Sequence, residues 1–307
     1  MTGAGSDSFT MRERACPLCG QRSQTQWLEQ KFDPAQLDGF AFASRKLPEL
    51  MRFPLALCRE CDLVYASQVP DLDWIRAGYR DAGFDAARES SLAAEAYARQ
   101  LARGLPATMR RDSALDIGCG DGAFLRCLRE MGFTEVTGIE PSEEPIRQAP
   151  PDIRNCIRNE FFGATRSPDA SFDLVTCFQT LEHTESPLEL CIEACRLLRP
   201  GGVLFVADHD FRALPARVLG AFSPIYDIEH LQLFSRRSLA RLFDLAGFGD
   251  VQILPLRNSY PLTYWVKLFP LPRLIKMSML SKLERSSIGQ WRLSARMGNL
   301  TALGIRR

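Results

Sequence analysis

Residues Leu115 to Gly122 read Leu-Asp-Ile-Gly-Cys-Gly-Asp-Gly, an apolar run entering a glycine turn, and "AFLRCLREMG" follows with helical spacing. This stretch constrains the fold more than any other. Gly118, Gly120 and Gly122 let the backbone turn tightly and approach a ligand closely, and the turn opens a helix whose first N–H groups are unpaired. Strand, tight turn and helix together form the repeating unit of a parallel α/β sheet.

The same alternation runs through the middle of the chain. "ESSLAAEAYARQLARGLP" predicts a helix stopped at Gly104–Pro106, and "SALDI" a strand. "EVTGIE" predicts a second strand, with a short helix from about Glu143 and a weak strand near Cys156–Ile157. "SFDLVTCF" predicts a buried strand, "SPLELCIEACRLLRPGG" a helix and "VLFVAD" another strand. A helix over "SRRSLARLFDLAGF" with Ser235 as cap, then strands over "DVQILPL" and "NLTALGI", complete the set. Such a sheet carries helices on both faces and binds ligands at the carboxyl ends of its strands. Glu140 ends the second strand, twenty residues beyond Gly120, where an acid accepts hydrogen bonds from ribose hydroxyls. A glycine turn with a distant acid also fits a dinucleotide site. Asp116, ahead of the first glycine, disfavours a pyrophosphate and suits an ammonium group.

"FDLVTCFQTLEHTESP", "LLRPGGVLFV" and "HLQLFSRRSLARLFDLAGF" follow in order. With the glycine turn they make the chain from about Ala87 to Arg307 resemble the class I S-adenosylmethionine-dependent methyltransferases. The resemblance implies an α/β fold: a seven-stranded Rossmann-like sheet, mostly parallel with its last strand antiparallel, over residues 111–307. It implies that Gly118, Cys119, Gly120 and Gly122 cradle the methionine part of S-adenosyl-L-methionine and that Asp116 holds its amino group. Glu140, followed by Pro141, takes the ribose; Asn159, Glu160 or Phe161 contacts adenine; the backbone at Cys177, Phe178 and Gln179 borders the sulfonium. The reaction it implies is in-line displacement at an activated methyl, so alignment of the acceptor dominates, and a base is needed only for an acceptor that loses a proton.

Ahead of this domain, "CPLCG" (Cys16, Cys19) and "CRECD" (Cys58, Cys61) form two Cys-x-x-Cys knuckles 38 residues apart. Two such turns complete a tetrahedral zinc site, structural because four sulfurs leave no open position. A redox pair and four unrelated thiols are the competing readings. The expected organisation is a ribbon-like zinc module over 1–70, a helical linker over 71–110 and the methyltransferase domain from 111. The other six cysteines sit in apolar surroundings and read as small buried hydrophobes.

The chain has three histidines, His183, His209 and His230. All fall after the strands expected to point at the ligand, and His183 matches a family position beside the acceptor. Each is a candidate general base or a structural histidine, with Asp208 and Asp210 as alternatives. The cysteine pairs leading into "PLALCRECDLVYASQVPDLDWIRAGYRDAGFD" resemble bacterial enzymes that methylate sugars or cell-surface saccharides, sugar C-methyltransferases being the nearest group, although the further C-terminal domain of that group is not part of this sequence.

About Asn258 to Gly298 is an insertion between the last two strands, expected over or beside the acceptor pocket. Leu262, Trp265, Val266 and Phe269 recur at helical spacing, Pro270 and Pro272 break the helix, and Lys267, Arg273 and Lys276 are interspersed. It reads either as a lid or as an apolar patch with a basic rim. Residues 251–307 carry a net charge of +9 within a chain of net +1, which suits an anionic partner. The partner expected is a sugar- or phosphate-bearing small molecule, nucleotide- or lipid-linked, with a peripheral membrane contact through 258–298. An RNA methyltransferase is the main rival and a cofactor-binding protein without turnover another. Cys16 to Cys61 holds six Lys or Arg against five Asp or Glu, not the positive skew of a phosphate-tracking module. Met1 to Arg14 lacks the apolar run of a secretory leader, and ten cysteines without one suit the reducing cytoplasm, with the inner membrane as the peripheral site.

Overall fold

In the computed structural model, which describes residues 10–33, 41–43, 49–164, 167–269 and 271–307, the first strands are β1 (Arg12–Glu13), β2 (Gln24–Leu28), β3 (Leu55–Cys58), β4 (Leu63–Ala66) and β5 (Gln68–Val69). Helices α1 (Leu72–Arg80) and α2 (Ala87–Gly104) follow. The alternating part begins with β6 (Ser113–Ile117), α3 (Ala123–Glu130), β7 (Glu135–Ile139), α4 (Glu143–Gln148), α5 (Pro151–Arg154) and β8 (Ile157–Arg158). It continues with β9 (Phe172–Phe178), α6 (Pro187–Leu197), β10 (Leu198–His209), α7 (Leu214–Leu219), β11 (Gln232–Leu233), α8 (Arg236–Leu245) and β12 (Phe248–Pro255). The insertion contains β13 (Asn258–Pro261), α9 (Leu262–Leu268), α10 (Arg273–Glu284) and β14 (Arg292–Ala295), and β15 (Asn299–Arg306) comes last.

Seven strands form the main sheet in the order β12-β15-β10-β9-β6-β7-β8. β8, β7, β6, β9 and β10 run parallel. β15 lies antiparallel between β10 and β12, as the resemblance implies. β6 is buried along its whole length, and β9 along all but its last residue, because helices cover both faces. α3 turns Phe124, Leu125 and Leu128 inward. α8 starts at Ser235, whose hydroxyl accepts from the Ser238 backbone while the Ser238 hydroxyl accepts from the Ser235 backbone. That reciprocal cap contributes about 1 kcal/mol.

The cysteine-bearing segment is spliced into the α/β part. Its sheet has the order β11-β4-β3-β2, and β11 comes from between β10 and α8, pairing Gln232 with Tyr65 and Leu233 with Val64. Cys16, Cys58, Cys61 and Leu63 share one apolar core with Val175, Leu190 and Phe234. Arg14 donates to the Leu231 carbonyl at 3.1 Å and the Gln232 side chain at 2.8 Å. Packing is therefore continuous across the expected boundary near residue 70.

β13 and β14 pair antiparallel, Tyr260 opposite Leu293, and carry α9 and α10 between them. The rim expected from Lys267, Arg273 and Lys276 needs correction. Lys276 is 9% exposed and donates to the Lys267 carbonyl at 3.0 Å, so it faces inward. The side chain of Arg273 and all of Pro270 lie outside the described residues.

Candidate active site

A cavity of about 880 Å³ opens at the carboxyl ends of β6, β7, β9 and β10. One wall is the glycine turn. Gly118 and Gly120 have φ of 72° and 55°, in the left-handed region. A Cβ on Gly118 would come within 2.2 Å of the Thr180 hydroxyl, whereas one on Gly120 would meet nothing within 4 Å. That open space beside backbone N–H groups leaves room for a ligand.

Two buried carboxyls frame the turn. Asp116 lines the cavity and accepts from the Thr176 hydroxyl at 2.6 Å. Glu140 accepts from the Gly120 and Ser142 backbones, each at 2.9 Å. Burial pushes both up to about 7, against the opposing hydrogen bonds, with Glu140 adding to the effect at Asp116 and Asp121 at Glu140. A cationic or hydroxyl-bearing ligand would favour the charged forms. Cys119, Pro141, Phe161, Phe178 and Gln179 also line the cavity. Gln179, just past β9, has φ of 48°, a strained conformation for a non-glycine residue and one that clusters at functional sites.

Four of the expected cofactor contacts are not among the residues that line the cavity. Asn159 donates to the carbonyls of Glu140 and Pro141, both at 3.1 Å, and so braces the strand end instead of lining the cavity. Glu160 is not among the lining residues; Phe161, with Phe162 and Gly163, takes that place. Gly122 lies at the start of α3 against Ile153, and the Cys177 side chain is buried in the apolar core.

The opposite wall gathers all three histidines. Nδ1 of His209 is 2.8 and 3.0 Å from the oxygens of Glu182, which is fully buried. A carboxylate accepts, so Nδ1 carries the proton and Nε2, 3.4 Å from the Gln179 amide nitrogen, is the basic one. Nδ1 of His183 lies 2.8 Å from the Glu229 carbonyl and 2.9 Å from the Tyr79 hydroxyl. The carbonyl again places its proton on Nδ1. Nε2 of His230 is 3.8 Å from Glu182, and its ring centroid is 4.9 Å from His183 and 5.1 Å from His209.

Asp208 is fully buried and outside the lining, and burial and then the Glu182 charge hold its carboxyl well above the usual range. It lies behind the cluster, out of reach of an acceptor. Asp210 lines the cavity, but one of its oxygens accepts from the Arg212 backbone at 2.9 Å. Sequence reasoning missed Glu182 and Tyr79. Glu182 sits beside His183 in "LEH" and was there to be weighed; nothing local marks Tyr79, which α1 brings in from 104 residues away.

Apolar groups close the remaining sides: Ile75 from α1, Tyr97 from α2, and Tyr260, Tyr264, Trp265 and Leu268 from the insertion. The insertion therefore lies over the pocket. Among the described lining residues Arg76 is the one Lys or Arg, against carboxyls that include Glu185, Glu189, Glu193 and Asp227.

Residues 88–253 match the family model described as a methyltransferase domain, and the chain belongs to that family. Its cavity is the candidate site of that methyltransferase domain. The chain is 30% identical over 165 residues to a ubiquinone biosynthesis O-methyltransferase of Aromatoleum aromaticum, covering 48% of this chain and 68% of that one. It is 28% identical over 155 residues to the enzyme of the same name from Idiomarina loihiensis, covering 45% of this chain and spanning 62% of its relative's length. A crystal structure of an S-adenosylmethionine-dependent methyltransferase of Thermotoga maritima, described as a possible histamine N-methyltransferase, aligns with TM-score 0.47 and 19% identity over 71% of this chain and 91% of that one.

Proposed function

We propose that this methyltransferase acts on a hydroxyl group of an amphipathic acceptor, a phenol or hydroquinone with an apolar tail. The carrying observation is the Glu182–His209 pair, whose imidazole lines a cavity closed on other sides by apolar groups of α1, α2 and the insertion. Bound S-adenosylmethionine supplies an activated methyl group, and Asp116, the Gly118–Gly120 backbone, Glu140 and Phe161 are the residues that would hold it. Glu182 orients the His209 imidazole and stabilises its cation, so that Nε2 takes the hydroxyl proton. His183 and His230 shape the acceptor side.

The carboxyl-rich lining favours a neutral reacting group over a phosphate held inside the cavity. This weighs against a free nucleotide-sugar and against RNA. The relatives' names point the same way: ubiquinone biosynthesis, and, for a Synechocystis protein 35% identical over 105 residues, a phytyl-bearing hydroquinone. A lipid-linked saccharide, the acceptor class the cysteine module suggests, offers the same chemistry, a hydroxyl beside a long apolar chain. The test is methyl transfer to three acceptors: an isoprenoid hydroquinone, a polyprenyl-linked saccharide and RNA. A methyl ether on either of the first two is expected; transfer to RNA alone, or to carbon, would contradict the reading.

We also propose that Cys16, Cys19, Cys58 and Cys61 hold a structural zinc ion. Their sulfurs all lie within 4.8 Å of one another, Cys19 and Cys58 at 3.7 Å. A tetrahedral site with zinc–sulfur bonds of about 2.3 Å needs sulfur separations of about 3.8 Å, so the four residues fit. Metal analysis of the purified chain should find one zinc, lost with Cys58→Ser together with thermal stability. Cys58→Ser protein with unchanged metal content would sink the assignment.

A further inference from the structure

α10 turns Lys276 inward with half-buried Leu280 and Leu283, and leaves other large apolar side chains outside. Leu274, Ile275 and Met277 are 86%, 52% and 50% exposed, while the residue it buries is Lys276. A surface helix ordinarily turns its apolar stripe to the core. α10 instead rests mainly on α9 and the turn at 287–290.

The same exposure recurs on the neighbouring α7 and the residues after it, where Leu214 is 71%, Val218 74% and Phe222 64% exposed. The insertion and α7 meet beyond β14. Gly298, at the end of the insertion, lies against Ala213, at the start of α7. Exposed Val218 and exposed Phe269 both line the cavity, so apolar surface continues from outside into its mouth. Exposed Arg217, Lys282, Arg285 and Arg296 are interspersed. No described helix is long and apolar enough to cross a membrane.

We propose that α7, Phe222, α9 and α10 form a docking face for an anionic lipid bilayer. The apolar side chains enter the headgroup and acyl boundary, and the cations meet anionic headgroups. Exposed Arg217, with Lys282, Arg285 and Arg296 of the net-positive stretch 251–307, supplies the charge complementarity. The face rests on the reading of an amphipathic acceptor: docked there, the cavity mouth opens onto the layer in which such a molecule is dissolved.

Flotation of the full chain with phosphatidylcholine vesicles, with and without phosphatidylglycerol, tests this. Binding is expected with the anionic lipid, about tenfold weaker without it or at high salt. Leu274→Glu with Ile275→Glu should weaken binding by about tenfold or more, with an unchanged melting curve and unchanged turnover of a water-soluble, tail-free hydroquinone. Lys282→Glu with Arg285→Glu should weaken it selectively for anionic vesicles. Wild-type protein that stays with neither vesicle overturns the proposal, as does a Leu274→Glu/Ile275→Glu protein that floats like wild type. A stable dimer dispersed by those substitutions would also overturn it, by assigning the face to a second copy. Flotation as expected, with no methylation of any hydroxyl, would leave the docking face standing and remove the acceptor reading.

Discussion

The two walls of the cavity are built in different ways. The cofactor wall comes mainly from one stretch of chain, Asp116 to Ser142, with Phe161 beyond it, and consists of backbone N–H groups with two buried carboxyls. The acceptor wall draws Tyr79, His183, His209, His230 and Tyr260 from separate segments, with Glu182 buried behind His209, and sets imidazoles among apolar groups and carboxyls. The first wall suits a constant ligand, because backbone geometry changes little when side chains vary. The second can change acceptor through any of several loops.

If the division is real, substitutions in the two walls should act on different steps. The largest effect is expected at His209→Ala, where loss of the proton acceptor should lower kcat by about 10²–10⁴-fold with cofactor affinity nearly unchanged. Glu182→Gln should follow it, because the amide no longer stabilises the imidazolium. A retained kcat in His209→Ala would shift the role to His183, whose Nδ1 is likewise fixed by a carbonyl.

The next effect belongs to the other wall. Glu140→Ala should weaken cofactor binding by about 10–100-fold through lost charged hydrogen bonds. The pH dependence sharpens the contrast. Asp116 and Glu140 are raised from 3.8 and 4.5 to about 7, so the unliganded folded chain keeps protons that the unfolded chain loses above about pH 4. Their contribution to stability is thus present at low pH and lost as pH rises toward 7. Cofactor affinity should run the opposite way, rising through pH 7 as both ionise. Affinity flat from pH 5.5 to 8 would show that neither carboxyl responds to the ligand.

The contrast also marks what could be read from the amino-acid sequence. The antiparallel β15 was legible only through the family resemblance and the strand order is tertiary, but the Ser235 cap follows from local spacing, dictated by neighbours a few residues away. The glycine turn was legible for the same reason. Asn159 and Glu160 were not, because β8 is only two residues long and its register decides which side chain reaches the cavity. Lys276 misled because periodicity marks a face without saying whether it is covered. The pairing of β11 with β4 is tertiary, and two residues carry no strand signal of their own.

The most direct test is a calorimetric titration of S-adenosylmethionine into wild-type, Glu140→Ala and His209→Ala protein, with methyl transfer measured on the same samples. The account expects His209→Ala to bind like wild type and fail to transfer, and Glu140→Ala to bind weakly yet transfer near the wild-type rate at saturation. Loss of binding in His209→Ala, or wild-type affinity in Glu140→Ala, would contradict the assignment of the two walls.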